Sequence, residues 1–236
     1  MELILVDIEY DYGSTSLVDI IPKNEWNKFF TYNNSKLEEI TNTLNELYNS
    51  NITIFPSVSN VFKSFYTLSP QNIKVIILGQ DPYHNGNATG LAFSVKNGSS
   101  INPSLRNILK EVKNCGFKVS NVGDLTPWVK QGVFLLNTAL TVQEGEPESH
   151  LELWKSFSKE LIKYITSNYK SIIFLLWGKK AQNYKQYINN SHHVICCSHP
   201  SPLSSSSTNP FTGSKCFTKA NKILLSMSKN EIDWSI

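Results

Sequence analysis

Four apolar stretches of this sequence lead into side chains able to do chemistry. Residues 73–78 run through Gly79 to Gln80 and Asp81, and 133–136 run to Asn137. Residues 171–177 run to Gly178 and Lys179, and 193–197 run to Ser198 and His199. Asp81 is followed by Pro82, which removes a backbone donor and stiffens the turn. A carboxylate held there orients a water or stabilises developing positive charge; alternatively it caps its own turn. His199 stands before Pro200 and Pro202, a rigid setting for a group that must be held in place. A neutral imidazole there donates one hydrogen bond to an oxygen gaining negative charge, or else satisfies the local backbone. Asn137 presents donor and acceptor together. That pair complements a pyrimidine edge, with its O4 acceptor and N3 donor, unless the amide only ties down its own loop. Tyr83 and Phe93 supply a wall and a stacking face, or are ordinary core aromatics. Among the other histidines, His84 reads as a brace for its turn, His192 and His193 as surface residues, and His150 as a residue without a visible partner.

Other chemistries find less support. Gly79, Gly86 and Gly90 do not follow the GxGxxG spacing, and Pro82 breaks the helix start such a loop needs. There is no GxxxxGK[ST] loop and no GxSxG elbow. Glycosidases usually pair two carboxylates, and only Asp81 stands out. A glycosidic bond whose leaving group is a base can do with less, because the base itself can carry negative charge. Cys115, Cys196, Cys197 and Cys216 form no CxxC pair, so they read as reduced, inert thiols. Neither a metal nor an organic cofactor is expected.

The elements that must bring these residues together follow from periodicity. The four apolar runs are short, and the clearest, 73–78, is β-branched and nearly all apolar, as a strand covered on both faces is. Helical spacing marks 26–48, with a break at 33–35 where Ser35 caps the second piece. Further helices are expected near 61–65 and over 104–115, 154–165, 180–187 and 217–226, the second of them started by Asn102-Pro103-Ser104. Strands alternating with helices predict a three-layer α/β/α fold around a central four-stranded parallel twisted sheet. Such sheets bind ligands beyond the carboxyl ends of their strands, which is where the four polar groups stand.

Composition sets the outer bounds. With 236 residues, 40% of them hydrophobic, the chain suits one sizeable core. We expect an N-terminal extension over 1–25 and a single domain over 26–236. The net charge of +3 is compatible with nucleic acid without demanding it, and Arg106 is the sole arginine. The start, MELILVDIEYDYG, lacks a basic leader and is interrupted by Glu2 and Asp7, so it reads as a strand or loose arm, not a signal peptide. No apolar run reaches membrane-spanning length. An intracellular protein, cytoplasmic or nuclear, is expected.

Four segments, in order, resemble the main uracil-N-glycosylase family of uracil-DNA glycosylases (family 1). Residues 79–84, GQDPYH, resemble its water-activating motif, and 90–95, GLAFSV, the segment with its stacking phenylalanine. Residues 135–142, LLNTALTV, resemble its uracil-reading strand, and 199–203, HPSPL, its leucine loop. The similarity runs from about Trp26 to Leu225. It implies metal-independent hydrolysis of the N-glycosidic bond of flipped-out deoxyuridine in single- or double-stranded DNA. Asp81 would position the water and His199 would hydrogen-bond uracil O2, helped by the Gln80 backbone N–H. Asn137 would read N3 and O4, Phe93 would stack on the base, and Tyr83 would exclude the thymine methyl. Leu203 would fill the space left in the helix, while Pro103, Ser104, Gly178, Lys179 and Ser201 would grip phosphates.

The chain departs from that pattern in places. Lys179 stands where the family has serine, the leucine loop continues as a serine run, and only Pro103 remains of a proline-rich loop. Two other readings stand beside this one: a glycosylase for another damaged base, and a DNA-binding replication accessory that has kept the fold. A monomer is expected, with the N-terminal extension available to a replication or repair protein.

Overall fold

The computed structural model describes residues 10–204 and 208–236. Most of the expected N-terminal strand or arm falls on 1–9, outside the described residues. In chain order the elements are α1 (Asn27–Tyr32), α2 (Asn34–Asn49), β1 (Ile54–Phe55), α3 (Lys63–Thr67), β2 (Val75–Gly79), α4 (Pro103–Asn114) and α5 (Thr126–Val129). There follow β3 (Val133–Asn137), β4 (Val142–Gln143), α6 (Leu151–Asn168), β5 (Ile173–Trp177), α7 (Gly178–Gln182), β6 (His193–Cys197) and α8 (Cys216–Ser226).

Strands β2, β3, β5 and β6 make a parallel sheet in the order β3-β2-β5-β6. The short β1 and β4 pair antiparallel apart from it. Every residue of β2, β3 and β5 is buried, which is why those runs are apolar without alternation. Edge strand β6 is only partly covered, and it begins on an exposed His193. The register places Gly79 beside Asn137, Leu78 beside Leu176, and Trp177 beside Cys197. The strands therefore end level, and whatever follows them shares one rim.

Aromatic side chains fill the space on both faces. Phe134 and Phe174 both pair with Ile76 and so share its face. There Trp26 stacks on Phe134 at 5.3 Å, and Phe29, Phe30, Phe65 and Phe157 join by edge and tilted contacts. Trp177 lies three residues beyond Phe174 and points to the opposite face. It meets Phe211 and Phe217, which in turn meets Trp128 and Trp234. With helices on both faces, the predicted three-layer α/β/α arrangement is observed. Tyr12 and Leu17 are buried in the same core, with the Tyr12 hydroxyl donating to Pro56 O at 2.7 Å.

Local expectations needed correction in four places. The break between α1 and α2 falls at Asn33, whose buried side chain donates to Phe29 O at 2.9 Å, so Ser35 lies inside α2 and caps nothing. The helix expected over 180–187 begins at Gly178 and tightens to a 3₁₀ turn over Asn183–Tyr187. His192 is buried, with Nε2 3.3 Å from Thr166 O, because the chain entering β6 turns it inward. His150 does have a partner: its Nδ1 lies 2.9 Å from Thr141 Oγ1, which also accepts from Trp154 Nε1. Burial pulls the His150 pKa down to about 4, so it is a neutral core residue at pH 7.

Candidate active site

Asn137 closes β3 and Gly79 closes the neighbouring β2. A Cβ at position 79 would stand 2.2 Å from Asn137 Oδ1, so the absent side chain of Gly79 is the space that the carboxamide occupies. Asn137 is only 7% exposed, and what remains open faces a cavity. The backbone beyond is cross-tied: Thr138 N–H donates to Gly79 O, and Ala139 N–H and Thr138 Oγ1 donate to Gln80 O. The backbone that carries Asn137 is thus held by two adjacent strands.

Asp81 follows Gln80 on that tied segment. Its Oδ1 accepts from Gln80 Nε2 at 3.1 Å and its Oδ2 from the Glu148 backbone N–H at 2.6 Å. Burial nevertheless holds its carboxyl above the ordinary 3.8, against the pull of those bonds and of Lys180. A carboxylate short of water is both a better base and a stronger partner for nearby positive charge.

His199 leaves the end of β6. Gly178, at φ +84°, adopts a left-handed backbone at the start of α7, and a Cβ there would press 2.8 Å from His199 Cβ. Gln182 Nε2 donates to Cys197 O at 2.8 Å, fixing the strand end that leads to the histidine. The Ser201 backbone N–H donates to His199 Nδ1 at 3.0 Å. An Nδ1 that accepts carries no proton, so the neutral ring bears its hydrogen on Nε2. Burial, and then the charge of Lys180, holds the imidazole below its ordinary 6.5, which favours the neutral form.

Phe93 has a left-handed backbone, φ +64°, a conformation that costs an L-residue energy and is retained where the surroundings enforce it. Here the Tyr83 hydroxyl donates to Phe93 O at 3.1 Å, locking both residues. The Phe93 ring packs 5.4 Å from Trp177 and 6.1 Å from His199.

These side chains line a single cavity of about 160 Å³, shared by Gln80, Asp81, Tyr83, Phe93, Ser104, Asn137 and His199. That is below the ~300–1,000 Å³ usual for small-molecule pockets and suits one flat polar ring. An apolar ring lies on its wall, a donor–acceptor amide on its edge, and an N–H donor and a carboxylate close it. An adjoining groove of about 730 Å³ shares Gln80 and His199 and is lined by Gly178, Lys179 and Lys180. Pro103, Ser201 and Leu203 line neither space. Pro103 is exposed at the first turn of α4, Ser201 Oγ accepts from Leu203 N–H at 3.3 Å, and Leu203 projects with 95% of its surface exposed. His84, read from sequence as a brace, also lines the cavity. Glu148 and Lys180 were missed. Glu148 reaches Asp81 through its backbone and Lys180 through its carboxylate, and neither link leaves a mark in residue type or spacing. Among the described residues no cluster of His, Cys, Asp and Glu could hold a metal ion, and no helix is long and apolar enough to cross a membrane.

The Uracil DNA glycosylase superfamily model matches residues 65–225. The chain is 41% identical over 221 residues to the uracil-DNA glycosylase of Desulfitobacterium hafniense, covering 92% of this chain and 98% of that one. It is 42% identical over 222 residues to that of Bacillus mycoides, covering 92% and 97%. Its fold is similar to the crystal structure of mimivirus uracil-DNA glycosylase, with a TM-score of 0.91 and 31% identity over 95% of this chain and 91% of that one.

Proposed function

The chain belongs to the uracil DNA glycosylase superfamily, and from that premise we infer that it starts base excision repair by releasing uracil from DNA. It hydrolyses the N-glycosidic bond of flipped-out deoxyuridine and leaves an abasic site. The observation that carries this reading to individual residues is the convergence of Asp81, Asn137 and His199 on one cavity the size of a single base.

The base must leave the stack before its glycosidic bond can be reached. We read Leu203 as the side chain that enters the vacated space, with Pro103, Ser104, Gly178, Lys179 and Ser201 placing the phosphates. In the cavity Phe93 lies against the base, and the carboxamide of Asn137 pairs with N3 and O4. Tyr83, locked through its hydroxyl, fills the side where thymine would carry its methyl group. As the C1′–N1 bond breaks, its electron pair goes to the base, and negative charge gathers on O2. His199, neutral with its hydrogen on Nε2, donates to that oxygen, aided by the Gln80 backbone N–H. A neutral donor suits this task, because its hydrogen bond strengthens as charge develops. Positive charge left on the sugar faces the poorly hydrated Asp81. Water then adds to C1′, and Asp81 takes its proton. Every group invoked belongs to the chain itself.

The same reading includes action as a monomer and an intracellular setting, to which four unpaired cysteines are suited. It also includes docking of a replication or repair protein on the N-terminal extension, on the stretch up to the half-exposed Tyr10, because from Tyr12 and Leu17 onward the extension is packed into the core. The test of the activity is a labelled oligonucleotide carrying one uracil, single-stranded or opposite guanine or adenine, with thymine and cytosine controls and EDTA present. Alkali-sensitive sites at uracil alone are the expected result. Folded protein that binds the oligonucleotide yet produces none would overturn the reading.

A further inference from the structure

Helix α4 does more than present Ser104 to the cavity. Asn107 and Glu111, one turn apart, share a face of it. Asn107 Nδ2 donates to Pro200 O at 2.7 Å, immediately after His199. Glu111 is fully buried, and its two carboxylate oxygens accept from the backbone N–H groups of Gly213 at 2.7 Å and Lys215 at 2.8 Å. Lys215 is held there at φ +53°, a left-handed conformation unusual for a residue with a side chain. A buried carboxylate is costly unless its oxygens are satisfied, and removing one partner leaves the others unpaired. Between the two attachments runs the segment that carries the exposed Leu203; its residues 205–207 lie outside the described ones, and the end of β6 also holds it, Ser198 N–H donating to Asn209 O at 2.8 Å and Phe211 N–H donating to Ser198 Oγ at 2.9 Å.

We propose that Asn107 and Glu111 form a clamp that fixes both ends of the Leu203 segment to the helix forming the cavity wall, so that the wedge and the cavity keep the separation base expulsion requires. The proposal rests on the uracil-releasing activity inferred above. Both are positioning residues, acting through the loop and not on the base. Their effect therefore belongs to expulsion from the duplex. A single strand has no stack of paired bases to open, so it depends less on the wedge.

The test compares kcat/KM on a uracil-containing duplex and on the same strand alone. The proteins are the wild type, Glu111→Gln, Asn107→Ala, Leu203→Ala and the Glu111→Gln/Leu203→Ala double variant. Glu111→Gln is expected to lower duplex activity about tenfold more than single-strand activity, and Asn107→Ala about threefold more. In the Leu203→Ala background the same Glu111→Gln change is expected to cost little further, since the two act as one unit. Equal losses on both substrates, no loss on either, or full additivity with Leu203→Ala would overturn the clamp. If Glu111→Gln does not fold, the Asn107→Ala ratio decides alone. A wild type inactive on both strands would instead defeat the activity on which the clamp rests.

Discussion

Replacing Gly79 by alanine adds one methyl group at the strand end that faces Asn137. The glycine does not have a left-handed backbone, so the substitution acts through contact alone. The new Cβ would lie 2.2 Å from Asn137 Oδ1 and 3.0 Å from Ala92 Cβ. Non-bonded heavy atoms settle at about 3.5–4.0 Å, so the carboxamide must retreat by about 1 Å or swing away. Retreat has little room, because Asn137 is buried and its backbone is paired in the sheet. A displacement of that size at a recognition group costs on the order of 10²-fold in rate, equivalent to about 2.7 kcal/mol. Overpacking at a buried strand end costs roughly 1–3 kcal/mol of stability, or about 2–12 °C in Tm at this chain length. The assay is kcat/KM for uracil release from a single-stranded oligonucleotide, which leaves base expulsion aside, alongside a thermal melt. A Gly79→Ala protein that melts near the wild type and retains kcat/KM within about threefold would refute the claim that Gly79 makes the space in which Asn137 reads the base.

Two further outcomes follow from the same geometry. Tyr83→Ala opens the wall beside the base, and preference for uracil over thymine should fall by about 10–200-fold, the usual worth of excluding one methyl group; undiminished rejection of thymine would place the gate elsewhere. Activity should also depend on pH in one direction only. In the proposed reaction Asp81 works ionised, with its carboxyl held above 3.8, and His199 works neutral, held below 6.5. Both lose their working form by gaining a proton, so kcat/KM should fall as pH drops through the window between those values, and neither group should produce an alkaline limb. A profile that rises on acidification through that window would contradict both assignments.

Much of the site was legible before any coordinates. An apolar run without alternation signals a strand buried on both faces, and a polar residue just beyond it must stand at a sheet edge. That reasoning placed Asp81, Asn137 and His199 on one rim. It could not choose between catalytic and bracing roles for any of them; the catalytic reading comes from the resemblance of the ordered motifs around them. It misjudged His150 and His192, because their burial depends on distant partners, Thr141 with Trp154 for one and Thr166 for the other. It misplaced the cap of α2 for a similar reason: Asn33 satisfies the preceding helix through its side chain, a competition that propensity does not resolve.

The sequence by itself determined which residue types were available at each strand end, because side-chain chemistry and hydrophobic period are local properties. Only the tertiary structure decided their protonation, spacing and company. The proton on Nε2 of His199 follows from a backbone N–H two residues away, and the shielding of Asp81 from a loop that arrives 67 residues later. The room for Asn137 follows from a side chain that Gly79 lacks on the adjacent strand. Electrostatics and packing act through space at a few ångströms, and the chain brings these groups to that range only by folding.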